Sequence, residues 1–219
     1  MSYLLFDDAS RSHLLPFTHT RPVADIRCGM LTMRERWEIY LHHSTSPLTQ
    51  DYLQPLFPAN EDANDNIYIN GGVFANSALV NSIKQLEQGQ ALVKGDLVIA
   101  ARISSNMGNI NTLHERLQQL PVIHFEGDVY SLKNVWDLFS YNDRAIKEDY
   151  TLLTAGRTSN PIPEGVWVSG KENLFIELGA VINPGCIINA NTGPVYIGKD
   201  AELLEGVLVR GPLAVCCRI

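Results

Sequence analysis

The carboxyl-terminal part of this 219-residue chain repeats a pattern of six residues. Aliphatic side chains recur at that interval, slip by three residues across "NTGP" at 191–194, and then resume the interval. Their positions are Ile176, Ile182, Ile188, Ile197, Leu203, Val209 and Val215. In a parallel β-helix each such repeat forms one short side of a coil and turns its aliphatic residue inward. The pattern predicts a short left-handed parallel β-helix of hexapeptide repeats over residues 164–219.

The repeat continues to the last residues of the chain without a helix or polar segment to close it. The ends of repeat structures normally need such a cap. We therefore expect that the chain is the start of a longer protein or that a partner covers the open end. A full β-helix of this kind usually trimerises, so a homotrimer formed through the repeats is a further expectation.

Strands and helices alternate in the sequence up to about residue 150. Short apolar runs at 3–6 and 67–69 stop at turn residues, as buried strands do. The segment 91–103 is typical of two strands around a Gly-Asp turn. These signals predict an α/β/α, Rossmann-like domain over residues 1–158.

Helix ends can also be predicted locally. Thr32 followed by Glu35 has the capping-box signature, which predicts a helix starting after Thr32. Ser77 and Gly89 are interpreted as the cap and the stop of the next helix.

Helical spacing predicts the faces of two helices. Arg34 and Arg36 are interpreted as a solvated helix face. Trp136 and Phe139 are separated by one helical turn, which favours packing in the core.

The charge and composition exclude several classes of partner. The net charge of −7 argues against nucleic acid or an anionic membrane as the main ligand. There is no secretory signal and no apolar run long enough to cross a membrane. The four cysteines are Cys28, Cys186, Cys216 and Cys217. They form no Cys-x-x-Cys motif, which favours reduced thiols in a cytoplasmic protein.

The stretch "FDDASRSHLLPFTHTRPVADIR" at 6–27 carries a resemblance to a known family. An α/β domain joined to hexapeptide repeats resembles the sugar-1-phosphate nucleotidyltransferases, and in particular the bifunctional family that makes UDP-N-acetylglucosamine and adds an acetyltransferase β-helix. That family has a loop G-x-G-x-R-L-x-P-L-T-x-x-x-P-K before a glycine and a helix. Here "SRSHLLPFTHTRPV" and Gly29 follow its second half. The stretch is more similar still to a divergent branch described in Bacteroidetes-type bacteria.

The chain departs from the family pattern at three places. Residues 10–13, Ser-Arg-Ser-His, stand where the family has its glycine-rich turn. Val23 stands at the position of the catalytic lysine, and Gly72 stands at that of the metal-binding aspartate.

The resemblance implies a nucleoside triphosphate and a sugar 1-phosphate as substrates and Mg²⁺ as cofactor. Transfer passes through a transition state rich in negative charge, which needs nearby cations. No lysine precedes Lys84, so any cation from the first loop is an arginine or a protonated histidine, and the arginines are the favoured candidates. Arginine binds phosphate through a planar fork and keeps its charge. The residues are Arg11, Arg21 and Arg27.

Polar residues near the ends of predicted strands complete the candidate site. Asp7 and Asp8 follow the first strand and are predicted to bind the metal, because open α/β sheets bind ligands at strand ends. Substrate contacts are expected from Ser10, Thr18, Asp25, Asn70 and Gly71. Two alternatives stay open. Arg21 and Arg27 are also consistent with a structural role beside Asp25, and Asp7 and Asp8 with a turn or cap.

Three functions follow as hypotheses. The first is synthesis of UDP-N-acetylglucosamine, or a related nucleotide sugar, with release of pyrophosphate. The second is acetyl transfer, which we expect to be absent because no histidine follows His124. The third is a catalytically degenerate protein that binds a nucleotide sugar or serves as a scaffold.

Overall fold

The computed structural model describes residues 1–215, so Cys216 and Cys217 lie outside the described part. The chain divides into two compact units. The amino-terminal unit comprises 1–27 and 31–138, and the carboxyl-terminal unit comprises 28–30 and the chain from 139 onward. The predicted domain bounds at 158 and 164 stay a prediction.

The amino-terminal unit contains a mixed six-stranded sheet with the order β4-β1-β5-β7-β6-β8. Strand β1 is parallel to β4 and β5, β7 is antiparallel to both of its neighbours, and β6 is parallel to β8. The first eight strands are β1 Ser2–Phe6, β2 Arg27–Cys28, β3 Leu31–Thr32, β4 Ser46–Leu48, β5 Asn66–Asn70, β6 Gln90–Lys94, β7 Leu97–Ile103 and β8 Val122–His124.

Helices α1 Met33–Leu41 and α2 Ser77–Lys84 pack on one face of this sheet, and α3 Ile110–Leu117 packs on the other. The long helix α4 Val135–Thr154 belongs mainly to the carboxyl-terminal unit. One apolar cluster joins Leu5 of β1 to residues of α1 and α2, and a second joins Leu4 to residues of α3. Successive residues of a strand face opposite sides, so β1 is buried on both. The α/β class is confirmed.

The helix caps agree with the sequence in part. The capping box of α1 is confirmed: the Thr32 amide donates to Glu35 at 2.7 Å, and the Glu35 amide donates to Thr32 at 3.1 Å. The prediction for α2 is wrong at both ends. Asn76 accepts the cap hydrogen bond from Leu79, and the helix ends at Lys84. Gly89 lies beyond it, at φ +80°, in the turn that leads into β6.

The solvated face predicted for Arg36 is wrong. Arg36 is 1% exposed, and its guanidinium lies 4.9 Å from the ring centre of Phe74. It stands one turn from buried Met33 and beside buried Trp37, so it falls on the inner face of α1.

The core packing predicted for Trp136 and Phe139 is also wrong, since these side chains are 64% and 89% exposed. Helix α4 buries Ala145, Ile146 and Asp149 instead. No helix within residues 1–215 combines the length and the apolar character needed to cross a membrane.

The carboxyl-terminal unit consists of short parallel strands in three sheets, with the orders β10-β13-β16, β11-β14 and β15-β12-β9. Its strands are β9 Trp167–Ser169, β10 Leu174–Ile176, β11 Val181–Ile182, β12 Ile187–Asn189, β13 Val195–Ile197, β14 Glu202–Leu203, β15 Leu208–Arg210 and β16 Leu213–Val215.

From β10 onward the strand register follows the hexapeptide interval, whereas β9 pairs with β12 at an offset of 20 residues, as for Trp167 with Ile187. Val195 pairs with Leu213, 18 residues later, which is three repeats. Pairs that span the insertion at 191–194 are 21 residues apart, as for Leu174 with Val195. The repeated aliphatic residues are buried from Ile176 to Val209, and Val215 is half-buried. This arrangement is compatible with a β-helix, and its left-handed turn stays a prediction.

A polar and aromatic cluster covers one of these sheets. The rings of Phe175 and Tyr196 stack at 5.8 Å, and the Arg157 guanidinium lies 5.1 Å from the Phe175 centre. Glu177 accepts hydrogen bonds from Arg157, at 2.7 Å, and from the Tyr196 hydroxyl. Partial burial opposes ionisation of Glu177, but Arg157 and Tyr196 outweigh it and lower its pKa.

The two faces of β12 allow a matched test of the repeat. Ile188 is fully buried and Ile187 is 49% exposed. We expect Ile188→Ala to lower the free energy of unfolding by about 3 kcal/mol, because it leaves a cavity. Ile187→Ala should lower it by less than about 1 kcal/mol. Urea unfolding followed by circular dichroism measures both, and equal losses would contradict the inward direction of the repeat.

Glu177 makes the stability of this region depend on pH. Because its pKa is lower in the folded state than the ordinary value of 4.5, it stabilises the fold above that value. This contribution, about 1 kcal/mol, is lost as the pH falls through the folded pKa. Unfolding measured from pH 6 to about pH 3 should show a smaller loss for Glu177→Gln than for the wild type. Identical pH profiles would exclude this role.

Candidate active site at the strand ends

The candidate site forms where β1 and β5 end side by side. Phe6 and Asn70, the last residues of these parallel strands, are paired. The segments that follow them, Asp7-Asp8 and Gly71-Gly72, therefore leave the sheet at the same edge. Ligands of open α/β sheets bind at such an edge.

Asp7 connects this edge to the loop that follows β1. Its side chain is 1% exposed. One carboxylate oxygen accepts from the Val23 amide at 2.8 Å, and the other accepts from Thr49 at 2.5 Å and from Arg11 Nε at 2.9 Å. Burial raises the pKa of Asp7, and these three donors oppose the rise. Both oxygens hold the loop in place, so Asp8 is the better placed of the two candidates for a metal.

Arg11 and Thr18 brace the same loop. Arg11 Nη2 donates to the main-chain oxygen of Thr18 and, at 3.0 Å, to the Tyr52 hydroxyl. The Thr18 hydroxyl donates to the main-chain oxygen of Arg11 at 2.9 Å. Nη1 of Arg11 makes no hydrogen bond to residues 1–215, which leaves two N–H donors for a ligand.

Asp8 joins the two strand ends. One of its oxygens accepts from the amide and hydroxyl of Ser10, and the other accepts from Asn70 Nδ2 at 2.8 Å. Asn70 also accepts from the Gly72 amide at 2.9 Å. Asp8 is half-buried. Ser10 and Asn70 thus contact Asp8, and their predicted contacts with substrate stay predictions.

Gly71 is required by close packing. A Cβ at this position would lie 3.1 Å from the Cβ of Ala24 and 3.3 Å from the main-chain oxygen of Phe6. The glycine thus lets the loop of Val23–Asp25 lie directly on the end of β1.

The other predicted arginines lie further along the loop. Arg34 Nε is 2.8 Å from Asp25 and its side chain is 34% exposed, so Arg34 is partly solvated and also forms an ion pair that was not predicted. Burial raises the pKa of Asp25, while Arg34 and then Arg21 oppose the rise. Arg27 lies 3.6 Å from Glu35. Arg21 and Arg27 are exposed, and neither lines the two cavities described next.

Two adjacent cavities open at this edge of the sheet. The larger one, of about 390 Å³, has polar walls from Asp8, Asn70, Asp96, His114 and Gln118. The second, of about 320 Å³ and here named the arginine cavity, is lined by Asp8, Arg11, Ser12, Gln50 and His114 among others. Asp8 and His114 belong to both, so they mark the junction.

The sequence reading missed Asp96, His114 and Gln118. Asp96 belongs to a predicted turn, and the other two lie on or just after a short amphipathic helix. Such positions have ordinary structural explanations, and only the folded chain brings them to one cavity.

His114 has a defined hydrogen-bonding role. Its Nε2 is 2.9 Å from the main-chain oxygen of Asp7. A carbonyl oxygen only accepts, so Nε2 carries the hydrogen. In the neutral ring Nδ1 is then an acceptor.

Residues 1–215 contain no group of three or more His, Cys, Asp or Glu side chains placed to hold a metal. Mg²⁺ does not require one, because it is commonly held by one or two carboxylates together with water and substrate phosphates. Asp8 fits that pattern, since the oxygen that accepts from Asn70 keeps a second lone pair for a metal, while Ser10 occupies both sites of the other oxygen.

A comparison with known families identifies the amino-terminal part of the chain. A family model described as sugar nucleotidyl transferase matches residues 3–158, which include the strand-end loop and both cavities. The comparison with curated proteins finds no match. The matched span is more than half of the chain and contains every candidate site residue. The chain therefore belongs to the sugar nucleotidyl transferase family.

Proposed function

We propose that this chain transfers a uridylyl group from UTP to N-acetylglucosamine 1-phosphate, or to a closely related N-acetylhexosamine 1-phosphate. Family membership implies a nucleotide and a sugar phosphate as substrates. The observation that supports catalysis is the junction at Asp8, where an arginine-lined cavity meets a second cavity of suitable size for a small ligand.

The reaction needs positioning more than covalent chemistry. An oxygen of the sugar phosphate attacks the α-phosphorus, the bond from that phosphorus to the bridging oxygen of the β-phosphate breaks, and pyrophosphate leaves. Negative charge grows on the leaving group, so fixed cationic donors lower the barrier. Arg11 is such a donor: its Nε and Nη2 are held by Asp7, Thr18 and Tyr52, while Nη1 is free to bind a phosphoryl oxygen.

Asp8 is the proposed protein ligand for Mg²⁺. When bound, Mg²⁺ neutralises charge on the phosphates. Asp8 is held by Ser10 and Asn70, so its carboxylate keeps a fixed orientation at the junction. The left-handed β-helix, the homotrimer and the cytoplasmic location remain part of this proposal.

Pyrophosphate release tests the function directly. With UTP, N-acetylglucosamine 1-phosphate and Mg²⁺, the protein should release pyrophosphate, and EDTA should stop the release. Asp8→Asn should lower kcat/KM by about a hundredfold, because it removes the negative charge with which Asp8 would hold Mg²⁺. Asp128→Asn changes an exposed aspartate outside both cavities and is the matched control.

The same assay separates the catalytic from the degenerate alternative. If no pair of nucleotide and sugar phosphate is turned over while calorimetry detects binding of UDP-N-acetylglucosamine, the chain is a binder and the catalytic proposal fails.

The exposed arginines are tested separately. If Arg21 and Arg27 bind phosphate when substrate is present, Arg21→Ala and Arg27→Ala should each lower kcat/KM by about tenfold, the value of one charge-assisted hydrogen bond. Arg144→Ala, in the exposed ion pair with Glu148 on α4, is the control. If both loop variants match the wild type in turnover and in nucleotide binding, these arginines serve only the fold.

A further inference from the structure

The two cavities differ in charge. No lysine or arginine lines the larger cavity, whereas two carboxylates, Asp8 and Asp96, do. Arg11 lines the arginine cavity. A phosphoryl group is repelled by carboxylates at short range and attracted by a guanidinium. The charged and the uncharged parts of a substrate should therefore separate between the two cavities.

The polar groups of the larger cavity are mainly acceptors, and the amide of Gln118 is the lining side chain that also offers N–H donors. Asp96 makes no hydrogen bond or ion pair with residues 1–215, so both of its oxygens are available, and carboxylate oxygens only accept. In the neutral ring His114 Nδ1 is an acceptor as well, because Nε2 donates to the main chain of Asp7. Such walls complement a ligand that carries many donors.

The sugar 1-phosphate and UTP differ in the number of hydrogen-bond donors that they carry. The ring of an N-acetylhexosamine carries several hydroxyls and an amide N–H, all of which donate. In the nucleoside of UTP only the two ribose hydroxyls and one uracil N–H donate, and uracil adds two carbonyl acceptors, so acceptor walls suit the nucleoside less well. The remaining walls include Leu97, Val98 and Leu117, which provide an apolar surface for the C–H face of a sugar ring.

We propose that the larger cavity binds the sugar ring of the sugar 1-phosphate, with Asp96 accepting hydrogen bonds from its hydroxyls. The phosphoryl groups lie toward Arg11 in the arginine cavity. Asp8 and His114 line both cavities. The phosphate of the sugar 1-phosphate therefore lies at the junction beside Asp8, where its oxygen forms the new bond to the α-phosphorus of UTP. The identity of the substrate rests on the function proposed above, while the separation of charge rests on the cavity walls alone.

Kinetics of Asp96 variants test this assignment. We expect Asp96→Ala to raise the KM for N-acetylglucosamine 1-phosphate by about tenfold, since it removes hydrogen bonds to a charged acceptor. The KM for UTP, kcat and the Mg²⁺ concentration for half-maximal rate should stay within about twofold. Asp128→Ala is the control. A rise in the KM for UTP would instead place the nucleoside in the larger cavity, and a raised Mg²⁺ requirement would make Asp96 a metal ligand. Either result overturns the proposal. An unchanged KM for N-acetylglucosamine 1-phosphate overturns it as well.

A binding measurement keeps the inference independent of turnover. Saturation-transfer NMR with N-acetylglucosamine 1-phosphate should show ring-proton signals with the wild type and Asp128→Ala, and weaker signals with Asp96→Ala. If these signals depend on Asp96 in a protein that releases no pyrophosphate, the sugar site stands and the catalytic function fails. If pyrophosphate is released but the signals are absent or do not change in Asp96→Ala, the sugar site alone fails.

Discussion

The buried carboxylate of Asp7 is the contact on which the candidate site depends. An ionised group that is removed from water must be compensated by hydrogen bonds, or it is strongly destabilising. Asp7 receives its three donors from three separate places, the Val23 amide, the Thr49 hydroxyl and the Arg11 guanidinium. Satisfying one carboxylate thus fixes the loop after β1, the end of β4 and the side chain of Arg11 together. The position of Arg11 beside its cavity follows from this constraint.

These hydrogen bonds to Asp7 and Asp8 give a physical account of why the loop after β1 differs from the glycine-rich loop of the family. A glycine-rich turn binds phosphate through main-chain amides that no side chain obstructs. Here Ser10 and Arg11 occupy that place, and their side chains bond to Asp8, Asp7 and the loop itself. The proposed function assigns phosphate binding to the remaining donors of the Arg11 guanidinium instead of main-chain amides. Val23, which stands at the position of the family's lysine, is 1% exposed, so this position is not open to a ligand.

Local signals between residues close in sequence predicted the start of α1 correctly, although they placed the cap of α2 one residue too late, at Ser77 instead of Asn76. The capping box of Thr32 and Glu35 needs only one turn of helix, and it formed as expected. The faces of helices were predicted less well. An arginine is usually exposed and a phenylalanine usually buried, but Arg36 is buried and Phe139 is exposed in this structure. Which side of a helix is buried depends on the element packed against it, and neither α1 nor α4 has an apolar stripe clear enough to decide this alone.

The sequence by itself determined the interval of the carboxyl-terminal strands, including the insertion that changes their pairing from 18 to 21 residues. It did so because each repeat contacts only its neighbours, so the period along the chain is also the period in space. It also placed Asp7, Asp8 and Asn70 at strand ends. Only the tertiary structure decided that Asp8, Asp96 and His114 line one cavity, because these residues come from β1, a hairpin turn and a helix far apart in the chain. Their convergence depends on the order of strands in the sheet, and no local interaction encodes that order.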